Sequence, residues 1–323
     1  MPGHLVHVTT PSRLHFGLLS LGGGERCSFG GVGAMIDRPG IRLTISPADR
    51  LHVTGPLANR ARTLAEVYAQ RVALNEPLRC LIQVETNARE HVGLGVGTQL
   101  SLAVGRGLET FLGRDRLPIE ELASLLGRGQ RSAVGTCGFD CGGLIYEPGA
   151  GAGEVLELQR IERVELPGPW RFVLFCPRRR VGLSGSEERE AFTDLPAPDC
   201  SAVEGLRAEA TDRLLPAAQA GDFDLFSESL YRYGEAAGMF FAARHGGPFA
   251  TPAIARLVEA IRELGIRGTG QSSWGPTVFA LAADETSAGE LIAKIRGRKG
   301  IEMADHEIIL SRPDRCGAVV ETE

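Results

Sequence analysis

The residues best suited to chemistry lie in a glycine-rich stretch, residues 91–99, between a strand-like run and a helix-like run. Glycine alternates through it at Gly93, Gly95 and Gly97, and the helical pattern starts near Thr98. Alternating glycines let the backbone approach a bound group closely, and a helix start presents N–H groups and the positive end of its dipole. The stretch predicts an anion cradle with phosphate as the natural guest. A plain tight turn is the alternative.

A second candidate set lies on the first strand-like segment, residues 5–19. Polar Arg13, His15 and Gly17 alternate there with apolar residues, so Arg13 and His15 share one face of the strand. We expect one face to pack in the core and the other to meet a ligand. A half-exposed strand with solvated Arg and His is the alternative.

Glycine is dense again just after this strand, where it fills six of the twelve positions from Gly22 to Gly33. A hairpin does not require so many glycines, whereas a loop lying against a substrate does. Arg26 and Ser28 are the polar contacts that this loop offers. A flexible hairpin is the other interpretation.

Further candidates lie in three later loops. Asp140 stands among glycines and small residues, where a carboxylate has little to do for packing, so it is a candidate general base or metal ligand, or else a turn cap. Arg178, Arg179 and Arg180 precede a Gly/Ser loop that contains Ser184. They predict anion contacts for at most two of the three arginines, or else a solvated basic loop. A last Gly/Ser loop carries Ser272 and Ser273.

Composition limits the class of protein. The net charge of -5 argues against a general nucleic-acid binder. The seven scattered cysteines favour a reducing compartment over a disulfide scaffold. No apolar run is long enough to span a bilayer, and the first residues do not resemble a signal peptide. We therefore expect a soluble cytoplasmic protein with no nucleic-acid or membrane partner, and a homodimer on the general prior for soluble enzymes.

The elements that must position these loops alternate between strands and helices, which predicts an α+β protein. A chain of 323 residues exceeds a typical single core, and the Pro/Gly run at 166–169 is the best boundary. We predict two domains, 1–167 and 168–323. Within the second, Thr251, Pro252 and Gly265 mark the cap, first residue and end of a helix.

Three glycine-rich segments in this order, with an Asp between the second and third, resemble the superfamily of galactokinase, homoserine kinase, mevalonate kinase and phosphomevalonate kinase (GHMP). The similarity covers nearly the whole chain, and its motifs lie at residues 11–19, 93–98, 135–140 and 268–275. It implies an N-terminal domain like ribosomal protein S5 domain 2, a ferredoxin-like C-terminal domain and a site between them. Two serines of the kinase loop are replaced here by Val96 and Gly97, and the first 190 residues contain no lysine.

One branch of the superfamily matches further. Residues 12–18, 29–33, 93–99 and 179–185 closely resemble the family of beta-ribofuranosylaminobenzene 5'-phosphate synthases. That resemblance implies a pentosyltransferase of methanopterin-type pterin synthesis. In this family the ring carbon of 4-aminobenzoate attacks phosphoribosyl pyrophosphate, and pyrophosphate and CO2 leave. The sequence does not separate 4-aminobenzoate from 4-hydroxybenzoate.

The resemblance also implies roles for the candidates. The cradle, Gly93 to Thr98 with Gln99, would hold pyrophosphate. Arg13, Arg26 or the Arg179–Arg180 pair would contact the phosphates or the benzoate carboxylate. Asp37 or Asp140 would bind Mg²⁺ or steady the oxocarbenium-like centre, and His15 or Ser184 would orient the aromatic acid. An ATP-dependent kinase of a small molecule is the alternative function, and a non-catalytic binding module is the next.

Overall fold

A computed structural model describes residues 4–20, 29–86, 88–129, 132–149, 161–179, 195, 198–298, 301 and 303–323. Within these ranges the chain folds around two sheets. The first has seven described strands: β1 (Val6–Leu18), β2 (Gly31–Pro47), β3 (His52–Thr54), β4 (Cys80–Thr86), β5 (Leu144–Glu147), β6 (Glu162–Val164) and β11 (Val319–Thr322). The order is β11-β1-β2-β4-β3, with β5 pairing β2 and β6 pairing β5.

Four helices accompany this sheet. They are α1 (Ala58–Arg71), α2 (Val96–Phe111), α3 (Ile119–Leu125) and α4 (Val134–Cys141). The apolar spacing of α1 predicts its buried face, and Ala61, Leu64, Ala65 and Tyr68 are buried as expected. Helix α2 is buried along most of its length because it packs on both β1 and β2. It begins two residues before the predicted start, at Val96.

The second sheet has the order β10-β7-β9-β8. Its strands are β7 (Arg171–Pro177), β8 (Thr269–Gln271), β9 (Val278–Ala282) and β10 (His306–Ser311). The helices of this half are α5 (Cys200–Ala208), a π-helical segment (Glu209–Leu214), α6 (Leu215–Ala220), α7 (Phe223–Met239), α8 (Ala242–His245), α9 (Pro252–Glu263) and α10 (Glu285–Arg296). The succession of strands and helices in this half and the strand order are those of a ferredoxin-like sheet, which confirms the expected fold.

The second sheet is buried on both faces because side chains alternate along β7. Phe172 and Leu174 point into the core that includes the first sheet, whereas Val173 and Phe175 join a separate cluster with α9 and α10. Phe16 of β1 lies with its ring centroid 5.3 Å from that of Phe279 in β9. One hydrophobic core therefore joins the two sheets.

Two local predictions have clear outcomes. The hydroxyl of Thr251 accepts a hydrogen bond from the N–H of Ile254, and α9 begins at Pro252, so the cap is confirmed. The last strand, β11, lies in the first sheet, although the strands just before it in the chain belong to the second. It pairs antiparallel with β1 in the first sheet, where Val6 lies opposite Thr322. The boundary between 167 and 168 stays a prediction.

Three segments are joined by hydrogen bonds where the two sheets meet. The Ser272 hydroxyl donates to the carbonyl of Gly93 over 2.8 Å and accepts from the N–H of His15 over 3.1 Å. The N–H of Ser273 donates to the carbonyl of His15 over 2.9 Å. On the same strand, the N–H of Arg13 donates to the Leu94 carbonyl over 3.0 Å. The cradle and the last Gly/Ser loop are therefore both attached to β1.

This junction requires glycine at position 275. A Cβ atom there would lie 2.1 Å from the backbone nitrogen of Gly93, so the two loops approach more closely than any side chain permits. We expect Gly275→Ala to lower the free energy of unfolding by about 3 kcal/mol, since backbone atoms must move apart. Urea unfolding measures this change. Gly247→Ala is the matched control, because a Cβ atom at Gly247 has open space. Equal midpoints for the two variants would contradict this account of the junction.

Candidate functional site

A cavity of about 540 Å³ opens at this junction. Its walls come from β1, from residues 90–98, from the segment around 127–132, from α7 and the chain after it, and from residues 271–275. Residues of β1 line several parts of the cavity in succession. Arg13 contacts the cradle, His15 contacts the Ser272 loop, and Gly17 packs on α7. Their shared face was predicted from the alternation along the strand.

The cradle has the backbone geometry that its glycines predicted. Gly93 has φ 90° and Gly95 has φ 70°, values that favour glycine, and α2 starts directly after Gly95. Val96, Gly97 and Thr98 line the cavity at the first turn of the helix. The N–H of Thr98 donates to the Gly95 carbonyl over 3.0 Å, and the N–H groups of Val96 and Gly97, the first two helical residues, can bind an anion.

An arginine occupies the space beside Gly97, where the kinase loop carries serine. A Cβ atom on Gly97 would lie 2.6 Å from Nη2 of Arg60 in α1. The other guanidinium nitrogen, Nη1, forms an ion pair with Glu90. The loss of the serine side chain thus makes room for a guanidinium at the start of α2.

A second arginine lies close to this position. Nε of Arg128 donates to the hydroxyl of Ser101 in α2 over 2.9 Å. Burial, together with the like charge of Arg60, lowers the pKa of Arg128. The described lining residues include three arginines, Arg13, Arg60 and Arg128, and one carboxylate, that of Glu90. The cavity therefore has an excess of positive charge in a protein of net negative charge.

We expect Gly97→Ser to weaken binding of inorganic pyrophosphate about tenfold, which is the loss of roughly one charge-assisted hydrogen bond. The new side chain must displace the end of the flexible Arg60 side chain, so stability should change little. Isothermal titration calorimetry measures the affinity. Gly205→Ser in α5 is the control, because a Cβ atom there meets nothing within 4 Å. If both variants bind pyrophosphate as the unchanged protein does, Arg60 has no part in holding it.

His15 is buried and lines the cavity. Its Nε2 lies 3.4 Å from the hydroxyl of Ser132, which donates to the Glu147 carboxylate over 2.9 Å. The N–H of Ala133 donates to the same carboxylate oxygen over 2.8 Å. Burial, with a smaller contribution from Arg13, lowers the pKa of His15 well below its ordinary value. The imidazole is therefore neutral at neutral pH.

This lowered pKa has a consequence for stability. The unfolded chain takes up a proton on His15 below about pH 6.5, whereas the folded protein does so only at lower pH. The free energy of unfolding should therefore fall as pH decreases from 7 to 5.5, with a contribution from this group that approaches about 1.4 kcal/mol per pH unit. Urea unfolding of the unchanged protein and of His15→Gln at several pH values measures the difference. Two curves that stay parallel throughout this range would contradict the expectation.

Aromatic rings line another part of the cavity. The rings of Phe241 and Trp274 meet edge to face with centroids 4.2 Å apart, and the His245 ring lies 5.4 Å from that of Trp274. Phe249 also lines the cavity. Burial, with the charge of Arg244, lowers the pKa of His245, so this ring is neutral as well. An aromatic surface of this kind suits a flat, apolar guest.

The structure does not bring either predicted aspartate to the cavity. Asp140 lies in α4, with its side chain 40% exposed, and it forms an ion pair with Arg116. Asp37 in β2 accepts from the N–H of Arg312 over 2.7 Å and so fastens β2 to the chain that follows β10. Both carboxylates have partners that account for their presence, although their catalytic roles stay untested.

The remaining predicted residues divide into three groups. Ser273 lines the cavity, while Ser272 is fully buried and holds the junction. Gln99 is buried, and its amide donates to the Gly135 carbonyl over 2.9 Å, which positions α4. Arg179 is exposed and is not among the lining residues. Four predicted site residues lie outside the described residues: Arg26, Ser28, Arg180 and Ser184.

Sequence reasoning missed several residues of the cavity. Arg60 sits in an ordinary helical pattern, and Arg128 in a Gly-Arg-Gly run that was not assigned to the site. Glu147 ends a short strand, where a buried carboxylate is the informative feature. The absence of the two kinase serines was the one signal that pointed to a substitute cation. It did not indicate which arginine supplies it.

The described residues contain no cluster of three or more His, Cys, Asp or Glu side chains suited to a metal ion. Glu90 is the single carboxylate on the described cavity wall, and it is already paired with Arg60. Mg²⁺ is commonly held by one or two carboxylates together with substrate phosphates, so the protein's share of such a site is small here.

No helix within the described ranges is both long and apolar enough to cross a bilayer.

Comparisons with known proteins agree with this architecture. Residues 214–301 match the family described as GHMP kinases C terminal. Homoserine kinase from Cytophaga hutchinsonii superimposes with a TM-score of 0.67 at 17% identity, covering 98% of this chain and 97% of that one. Mevalonate pyrophosphate decarboxylase from Streptococcus pyogenes gives a TM-score of 0.67 at 15% identity, covering 99% of each chain. The protein therefore has the GHMP kinase fold, as the resemblance implied.

Sequence similarity identifies more specific relatives than the fold does. The beta-ribofuranosylphenol 5'-phosphate synthase of Methanothermobacter thermautotrophicus is 28% identical over 90% of this chain and 93% of its own. The protein of the same name from Archaeoglobus fulgidus is 29% identical over 92% of this chain and 95% of its own. The chain is similar to these synthases over most of its length, and it is an enzyme of this pentosyltransferase type.

Proposed function

We propose that this enzyme transfers the phosphoribosyl group of phosphoribosyl pyrophosphate to the ring carbon of a 4-substituted benzoate, with loss of CO2 and pyrophosphate. The product is an aryl C-riboside 5'-phosphate for methanopterin-type pterins. The observation that carries the proposal is a single cavity that combines an arginine-rich anion cradle with an aromatic wall.

The cradle suits the donor. A leaving pyrophosphate gains charge as its bond to the ribose breaks, and preorganised N–H groups and cations stabilise that charge. Gly93 to Thr98 supply the backbone, and Arg13, Arg60 and Arg128 supply the cations. Because Glu90 already holds Arg60 in place, less side-chain freedom is lost when the donor binds.

The aromatic wall suits the acceptor. A benzoate ring can pack against Trp274 and Phe241, whose edge-to-face contact fixes the surface that they present. His15 lies on β1 between Arg13, which faces the cradle, and Gly17, which packs on α7 just before Phe241. This order along one strand would bring the ring carbon of the acceptor toward the ribose of the donor.

The similar synthases are named for a phenol product, which favours 4-hydroxybenzoate over 4-aminobenzoate as the acceptor to test first. Mg²⁺ remains part of the proposal as an ion that arrives on the phosphate oxygens of the donor. A homodimer in the cytoplasm, without a nucleic-acid or membrane partner, is proposed on the same general grounds as before.

The test is a turnover assay with phosphoribosyl pyrophosphate, Mg²⁺ and carboxyl-labelled benzoate, in which labelled CO2 and pyrophosphate are followed together. We expect equal amounts of both from 4-hydroxybenzoate or 4-aminobenzoate. Arg60→Ala should lower kcat/KM for the donor at least tenfold, because one charged contact to the leaving group is lost. Arg62→Ala is the matched control on the same helix, since Arg62 donates to the Leu51 carbonyl instead and is not a lining residue.

Other results would reject the proposal. Consumption of ATP with a small alcohol, and no pyrophosphate from phosphoribosyl pyrophosphate, would establish the kinase alternative. Tight binding of both substrates without turnover would indicate a binding module. Equal loss in the Arg60 and Arg62 variants would remove the cradle arginine from the scheme while leaving the reaction in place.

A further inference from the structure

A buried hydrogen-bond chain leads away from the cavity behind His15. Glu147 is 2% exposed, and one of its carboxylate oxygens accepts from both the Ser132 hydroxyl and the Ala133 N–H. The Ser132 oxygen then faces Nε2 of His15. Among the described residues, the Ser132 hydroxyl and the Ala133 N–H are hydrogen-bond donors to the buried carboxylate of Glu147.

The chain sets the tautomer of His15. A serine hydroxyl has one proton, and here that proton goes to Glu147. The Ser132 oxygen can therefore only accept from the imidazole, so Nε2 carries the hydrogen and Nδ1 keeps its lone pair. The N–H of Val134 also donates to the Ser132 oxygen over 3.2 Å, which holds the hydroxyl in this orientation.

The space for this ring is built into the neighbouring strand. A Cβ atom on Gly31 of β2 would lie 3.0 Å from Cε1 and 3.2 Å from Nε2 of His15. A larger residue at position 31 would press the imidazole away from Ser132. The contact between His15 and Ser132 thus depends on Gly31 of β2, on the segment before α4 and on Glu147 of β5. These parts of the chain meet only in the folded protein.

We infer that Glu147 and Ser132 are positioning residues that hold His15 as the Nε2–H tautomer, with Nδ1 as the acceptor for the proton of the aryl hydroxyl. This inference rests on the function proposed above. The carbon that bears the carboxylate forms its bond to C1 of the ribose as the C1–oxygen bond breaks and its electron pair leaves with pyrophosphate. The hydroxyl proton moves to Nδ1 as the ring takes the dienone form.

The second half of the reaction returns that proton. The bond to the carboxylate breaks, CO2 leaves, and the electron pair restores the aromatic ring while the ring oxygen takes the proton back from His15. The imidazolium exists only between these two steps, and Glu147 stabilises it through Ser132. The lowered pKa of His15 favours the return of the proton.

The first test needs no substrate. In the full chain labelled with ¹⁵N-histidine, long-range ¹H–¹⁵N spectra should show His15 as the Nε2–H tautomer at neutral pH. Ser132→Ala should lose that preference. Glu147→Gln should keep it, because the Ala133 N–H requires the amide oxygen at the position of the present acceptor. A wild-type spectrum of the Nδ1–H form would overturn the inference, whatever the enzyme's substrates are.

The second test uses turnover. We expect kcat to fall about a hundredfold in Ser132→Ala and in Glu147→Gln, with KM for the donor unchanged, as for the loss of general acid–base catalysis. Ser132→Thr should restore most of the activity, and Ser124→Ala, an exposed position on α3, is the control. If Ser132→Ala does not fold, kcat of the Glu147→Gln variant tests whether the hydrogen-bond chain contributes to catalysis. Full kcat in the Glu147 variant would overturn the role of the carboxylate.

The two tests separate the possible failures. The expected tautomer with no turnover on any benzoate would reject the proposed function and leave the hydrogen-bond chain as described. Turnover with the Nδ1–H tautomer would retain the function and reject this role for Ser132 and Glu147.

Discussion

The structure depends on the hydrogen bonds that attach two loops to one strand. Ser272 links the carbonyl of Gly93 to the N–H of His15, and its neighbour Ser273 returns a bond to the His15 carbonyl. The first sheet supplies the strand and the cradle, while the second supplies Ser272. Because a buried polar group without a partner is costly, the two halves are held in one arrangement, and the cavity forms where they meet.

Within this frame the side chains at the start of α2 differ from those of the kinase loop. The kinase loop carries serine where this chain has Gly97, and the guanidinium of Arg60 fills the space. In the proposed reaction, arginines suit a pyrophosphate that gains charge as it leaves. The fold is shared with proteins under 20% identical, so this likeness defines the fold alone. The reaction is set by the residues placed on that fold.

Much of the fold was predictable because local patterns decide local structure. The apolar spacing of α1 specified its buried residues, Thr251 and Pro252 marked the start of α9, and the alternating Arg13 and His15 defined the face of β1 that meets the cavity. The position of β11 was not predictable, because pairing between the two ends of the chain depends on which sheet edge is free.

By itself the sequence determined the glycine cradle, the strand beside it and the superfamily, since glycines with positive φ and alternating side chains are local properties. Only the tertiary structure decided which charged residues reach the cavity. Asp140 forms an ion pair with Arg116, and the side chain of Arg179 is exposed. Arg60, from a helix earlier in the chain, lies against Gly97. The partners of a side chain are set by long-range packing, which the spacing of residues along the chain does not predict.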